Sequence, residues 1–134
     1  MLELVIIGEP KVVSQRRCEV EAVLVSAFGD LGMSGALETA TDAFFLGNDE
    51  GARIVQKLKG LKQEYLVSGQ KERVAVASMN DHEDYFGRCF KLTLGGPDNH
   101  AYSFCAAFGL ERLTGCGLRA WGGEVGGWPQ ELQT

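Results

Sequence analysis

The sequence predicts an α+β fold: a mainly antiparallel sheet with flanking helices. Three observations carry this expectation. A long apolar stripe at helical spacing lies near the start, and short alternating segments separated by turn residues fill the middle. A closing stretch, "YSFCAAFGLERL" (102–113), reads as a strand running into a helix.

"LELVII" (2–7) is a short, largely β-branched apolar run ended by Gly8, expected as a buried strand that Glu3 interrupts. Pro10 suits a first helical position, and Val13, Val20, Leu24, Phe28 and Leu31 form one stripe that stops in "GDLGMSG". Arg16, Arg17, Glu19 and Glu21 decorate the other faces of that helix. A linker containing "TATDAFFLGNDEG" leads to "ARIVQKLKGLK" (52–62), read as a shorter helix weakened by Gly60 and made basic by Lys57, Lys59 and Lys62. Three strands are expected next, "QEYLV" (63–67), "RVAVASM" (73–79) and "GRCFKLTL" (87–94), paired antiparallel. "GGPDN" is a turn by composition. The closing strand and helix run to about Ala120, and Trp121 and Trp128 are expected to anchor a Gly-rich tail. The order is therefore β, α, α, β, β, β, β, α in one domain spanning 1–134.

Composition narrows the function classes. At 45% hydrophobic and 23% charged, the 134 residues suit one soluble domain with a core. No apolar run approaches the roughly 20 residues of a membrane helix, and Leu2 and Glu3 do not open a secretory signal, so a cytoplasmic protein is expected. Cys18, Cys89, Cys105 and Cys116 are unevenly spaced without a CxxC, which favours reduced thiols. A net charge of −5 argues against general nucleic-acid binding. The chain has no GxSxG, HExxH or P-loop pattern, and Gly29, Gly32 and Gly35 do not follow a strand as a dinucleotide fingerprint would.

A few residues stand out chemically. Arg112 falls in the first turn of the last helix, where the helix dipole disfavours a cation by about 0.3–1 kcal/mol. It calls for an anion, either a bound phosphate or a carboxylate such as Glu64 or Asp84. In "VASMNDHEDYFGR" (76–88), Ser78, Asn80, His82 and Asp84 alternate, so an extended chain would make them the floor of a site; the other reading is a polar hairpin tip. Glu3, His82, His100 and Cys105 are the conceivable metal ligands. A buried Cys105 also reads as a small apolar residue, whereas a carboxylate inside a buried strand needs a cation, a metal or a set of donors.

Several of these stretches together resemble a known family. "AFGLERL" is similar to motif 3 of class II aminoacyl-tRNA synthetases, here at about 101–120. "ASMNDHEDYFGR" resembles the preceding segment of the seryl branch, and more closely the "SFNYHQDHFG" type of the amino acid:[carrier protein] ligases, which are truncated seryl-tRNA-synthetase homologues. "MLELVIIGEP", "TATDAFFLG", "KGLKQEYLV" and "GWPQEL" resemble that family's "MREFVRIGTP", "ASDPFFG", "QALKFELLV" and "DWP" segments in the same order. The fold implied is a partial class II synthetase-like catalytic domain.

The resemblance implies adenylation of an amino acid by ATP with Mg, then transfer to a carrier protein's phosphopantetheine thiol in place of tRNA. It makes Glu3 and Cys105 two of the three protein ligands of a catalytic zinc. It makes Arg112 a contact to the ATP phosphates, Val76, Ala77, Ser78 and Met79 part of the ATP site, and Asn80 and His82 neighbours of the substrate. It also places motif 1, the first zinc-ligand Cys and the motif 2 Arg before Met1, so activity is expected to depend on that missing half and self-association to cover open edges. Leu2, Tyr102, Asp81 and Glu83 depart from the family's residues. The alternative expectation is a non-catalytic paralogue that binds a carrier protein or regulates, with Arg16, Arg17, Lys57, Lys59 and Lys62 attracting an acidic carrier.

Overall fold

The chain, described as a computed structural model over residues 1–40, 59–69 and 72–133, builds one five-stranded antiparallel sheet. Gly8 closes β1 (Leu2–Gly8), and Pro10, whose fixed φ and missing N–H suit a helix start, opens α1 (Pro10–Asp30). β2 (Gly35–Thr39), β3 (Lys62–Val67) and β4 (Val74–Glu83) follow. A short helix, α2 (Tyr85–Phe90), precedes β5 (Tyr102–Phe108), which runs into α3 (Leu110–Trp121). The strand order is β1-β5-β4-β3-β2, which puts β4 at the centre between β5 and β3. No described helix is long and apolar enough to cross a membrane.

The two faces of the sheet differ in cover. On one, α1 contributes Val13, Leu24 and Phe28, α3 contributes Cys116, and the sheet answers with Tyr65, Ala77, Met79, Phe104 and Ala106. The expected stripe of α1 is therefore the one that packs, with Val20 and Leu31 at its margins. Trp121 donates its indole N–H to the Leu31 carbonyl at 3.2 Å and lies 5.3 Å from the Trp128 ring, so both tryptophans anchor the tail as expected. The opposite face carries the alternate residues of each strand and is the face described below.

Three expectations change. β1 is an edge strand, not a buried one: Leu2, Val5 and Ile7 are more than half exposed, and Glu3 is exposed as well. The reason for demanding a buried partner for Glu3 therefore falls away. "GALET" forms β2, a strand the sequence hid inside a loop; Gly35 is required there because a Cβ would stand 2.4 Å from the Leu66 carbonyl oxygen. "GRCFKLTL" is not a strand. Its first half completes α2, Lys91 ends that helix in the left-handed region at φ 55°, and only Thr93 retains a bridge, to His100. Gly87 lets α2 lie against the chain before β5, since a Cβ would meet the Ala101 oxygen at 2.2 Å. The helix expected over 52–62 lies outside the described residues except at its end.

The basic cluster also changes character. Arg17 bonds the Asp81 carboxylate at 2.9 Å and reaches the Gly60 carbonyl and the Gln63 amide oxygen, so it ties α1 to the sheet. Arg16 pairs with Glu19, Lys59 with Glu83 and Lys62 with Glu64. Each described member faces a carboxylate, which offsets part of its charge. Lys57 lies outside the described residues.

Candidate functional site

β4 extends through "NDHE", where turn-forming residues suggested a hairpin tip. Antiparallel pairing to β5 holds it in strand, through a bulge between Asp81 and Glu83 at which Glu83 takes φ 49°. The register sets Val5 against Cys105, Cys105 against Asn80 and Asn80 against Lys62. Side chains alternate along a strand, so Glu3, Ser78, Asn80 and Cys105 share the open face. Met79 and Ala77 turn to the core instead. Val76, 1% exposed, is the extra residue of a second bulge opposite Tyr65 and Leu66. Asp84 leaves the row, precedes α2 and pairs with Arg88.

A cavity of about 350 Å³ opens on this face. Its polar wall is Glu3, Asn80, His82, Ser103 and Cys105. Its apolar wall is Val5, Ile7, Phe86, Phe90 and Leu92. Asn80 donates from Nδ2 to the Cys105 sulfur at 3.3 Å and to the Ser78 hydroxyl at 3.4 Å. His82 stands with Nδ1 3.0 Å from the Ser103 hydroxyl and Nε2 3.6 Å from the Cys105 sulfur. Burial lowers the His82 pKa against the charges of Asp81 and Glu3, which favours the neutral ring. Burial also pushes the Cys105 thiol up to about 11; the Asn80 hydrogen bond opposes this and the Glu3 carboxylate adds to it. Burial thus favours the neutral form of both the thiol and the imidazole.

Glu3 and Cys105 line one cavity, as the resemblance implies for zinc. Among the described residues, however, no group of three or more His, Cys, Asp or Glu side chains converges to hold a metal ion. Cys105 and Glu3 would supply two of the three protein ligands that the resemblance implies. His100 sits at its bridge to Thr93, outside the cavity lining.

A second cavity, about 330 Å³, adjoins along the same strands. It is lined by Glu64, Ala75 to Ser78, Ala107, Gly109, Glu111 and Arg112. Gly109 donates its N–H to the Val76 carbonyl and so seats the start of α3 against β4. Arg112 is exposed and donates through Nη1 to the Ala75 carbonyl at 3.0 Å; among the described residues it has no carboxylate partner. The expected pairing with Glu64 or Asp84 is not made. A guanidinium has five N–H donors, so one carbonyl leaves capacity for an anion at the head of α3.

Ser103 and Phe86 were not singled out from sequence. Ser103 is two residues before Cys105 in a strand and Phe86 is four after His82, so each was reachable once the faces were known.

No protein-family model matches the chain. It is 29% identical over 137 residues to Amino acid--[acyl-carrier-protein] ligase 1 of Bradyrhizobium diazoefficiens, covering 99% of this chain and 41% of that protein. It is 32% identical over 133 residues to ligase 2 of the same organism, covering 96% and 39%. The chain therefore spans about two-fifths of the length of these curated relatives. Among solved structures, M. kandleri SerRS in complex with A. aeolicus tRNASec superposes with a TM-score of 0.78 at 20% identity, over 98% of this chain and 26% of that one. That likeness establishes the fold, an α+β arrangement of the class II synthetase type. Over nearly all of its own length the chain is thus similar to the amino acid--[acyl-carrier-protein] ligases, and it carries part of a seryl-tRNA-synthetase-like fold.

Proposed function

We propose that this sheet face is part of an amino-acid-activating site that uses ATP with Mg and passes the acyl group to a carrier-protein thiol. The observation that carries the reading is the end-to-end placement of the two cavities on one face of β4 and β5. Ser78 and Asn80, joined by a hydrogen bond, form the divide. One compartment offers an arginine and a helix start, suited to phosphate. The other is mostly apolar with a carboxylate and an amide, suited to an amino acid.

In such a site a carboxylate oxygen of the amino acid attacks the α-phosphorus of ATP, the bond to the β-phosphate oxygen breaks, and pyrophosphate leaves. The carrier thiolate sulfur then attacks the acyl carbon, and AMP leaves with the electron pair. This chain's residues do the positioning: Arg112 faces the phosphates, Ser78 borders them, and Asn80 and His82 bound the amino acid. The relatives' names supply the carrier protein as acceptor. The activity is that of the relatives, of whose length this chain spans about two-fifths.

Titration of MgATP into the purified chain tests the phosphate end. Arg112→Ala is expected to weaken binding about tenfold, as for a charge-assisted hydrogen bond. No binding, or equal binding by wild type and variant, would refute it.

A further inference from the structure

β1 is an edge strand with the composition of an interior one. Exposed edges are normally protected by lysine, by proline, by a bulge or by being very short. β1 has none of these: its seven residues run in unbroken register along β5, and its one charge is Glu3. It is apolar on both faces. Val5 and Ile7 stand 53% and 55% exposed beside the open-face cavity. Leu4 and Ile6, on the other face, run into an apolar groove of about 480 Å³ shared with Leu24, Phe28 and the 68% exposed Val23 of α1. The charged residues in its lining, Arg16 and Glu19, pair with each other. Apolar side chains on both faces, beside a row of free backbone N–H and C=O groups, call for a further strand.

We infer that a second copy of this chain supplies that strand, by antiparallel pairing of β1 with β1 across a two-fold axis at Val5. A symmetric pair sets each residue opposite one from the same face, and an axis at Val5, the midpoint of β1, matches the whole strand. Leu4 then faces the other copy's Ile6, and Glu3 faces the other copy's Ile7. Charge favours a second copy over an unlike strand. The single carboxylate of β1 lies off the axis, so it does not meet its twin, and every other pair along the edge is uncharged. Residues directly opposite share a face, so the other copy's Val5 and Ile7 stand beside the cavity that Glu3, Val5 and Ile7 already line. Each copy thereby extends the apolar wall of the other's open-face cavity, and the grooves beside Leu4 and Ile6 are closed by the same residues of the neighbour.

Sedimentation velocity on the purified chain, over a dilution series, tests this. A dimer that dissociates on dilution is expected. Val5→Lys sets two ammonium groups face to face at the axis and should abolish the dimer, while the circular dichroism stays that of the wild type because Val5 is exposed. The register is read by cross-linking, in chains that also carry Cys18→Ser and Cys89→Ser to remove the exposed thiols. Under mild oxidation a mixture of Leu4→Cys and Ile6→Cys chains should form several-fold more disulfide-linked dimer than either chain alone, because residues directly opposite come within reach of an S–S bond. The inference is overturned if the chain is monomeric at every concentration, which would leave the edge to a strand from outside it. It is also overturned if folded Val5→Lys still dimerises, or if the mixture cross-links no better than its components. If Val5→Lys does not fold, the cysteine pair decides the matter. Neither nucleotide nor amino acid is present in these measurements, so their outcome is separate from that of the MgATP titration.

Discussion

The two faces of the central strands are made from alternate residues of the same stretches, yet they do opposite work. On the helix-covered face Met79, Phe104 and Ala106 are closed under α1 and α3. On the open face Ser78, Asn80, Ser103 and Cys105 keep polar atoms beside two cavities. The contrast locates stability on one side and chemistry on the other, with the strand's two-residue period as the only separator. Substitutions should divide accordingly.

The largest stability effect belongs to the covered face. Phe104 is 0% exposed, and Phe104→Ala should destabilise the fold by about 3–5 kcal/mol through lost burial and a residual cavity, read by chemical denaturation. A loss below about 1 kcal/mol would mean that this face is not the core. Next comes the tie between α1 and the sheet. Arg17→Ala leaves the half-buried Asp81 without its guanidinium and should cost about 1–3 kcal/mol, whereas a solvated Arg17 would cost almost nothing.

A pH effect follows on the open face. Cys105 is raised from an ordinary 9.0 to about 11, so on raising the pH the unfolded chain gives up this proton first. The stability it contributes is full below about pH 9 and falls as the pH climbs through about 11. Denaturation midpoints of wild type should therefore drop more steeply over that window than those of Cys105→Ala. In the same range a thiol reagent should label the exposed Cys18 and Cys89 well before Cys105. The smallest effect is expected at the surface: Lys59→Ala removes the exposed pair with Glu83 and should leave the melting temperature unchanged within error.

The same contrast explains what could be read in advance. The α1 stripe and the passage from β5 into α3 were legible because burial writes a periodic signal along the chain. β1 carried an apolar signal but not its position. Only the strand order shows it at the edge, where apolar side chains remain exposed and Glu3 borders the open-face cavity. "GRCFKLTL" fitted a two-residue alternation equally well, but its first half completes a helix in which Gly87 lies against Ala101. At the site, Arg112, Asn80, His82 and Cys105 stood out by residue type and resemblance. The orphan oxygen of Asn80 and the neighbouring Ser103 did not, because they depend on strand register. The ion pairs of the basic cluster were equally hidden, since Arg17 meets a carboxylate 64 residues away.

The measurement that addresses the central claim most directly uses one ligand that spans both cavities. A non-hydrolysable alanyl-adenylate mimic, alanyl-sulfamoyl-adenosine, joins an ammonium-bearing acyl group to an adenosine through a phosphate surrogate. The account predicts that it binds more tightly than alanine or MgATP alone, and that Asn80→Leu and Arg112→Ala each weaken it, because the two cavities act as one site. Binding that responds to only one of these substitutions, or no tighter than either part alone, would contradict it.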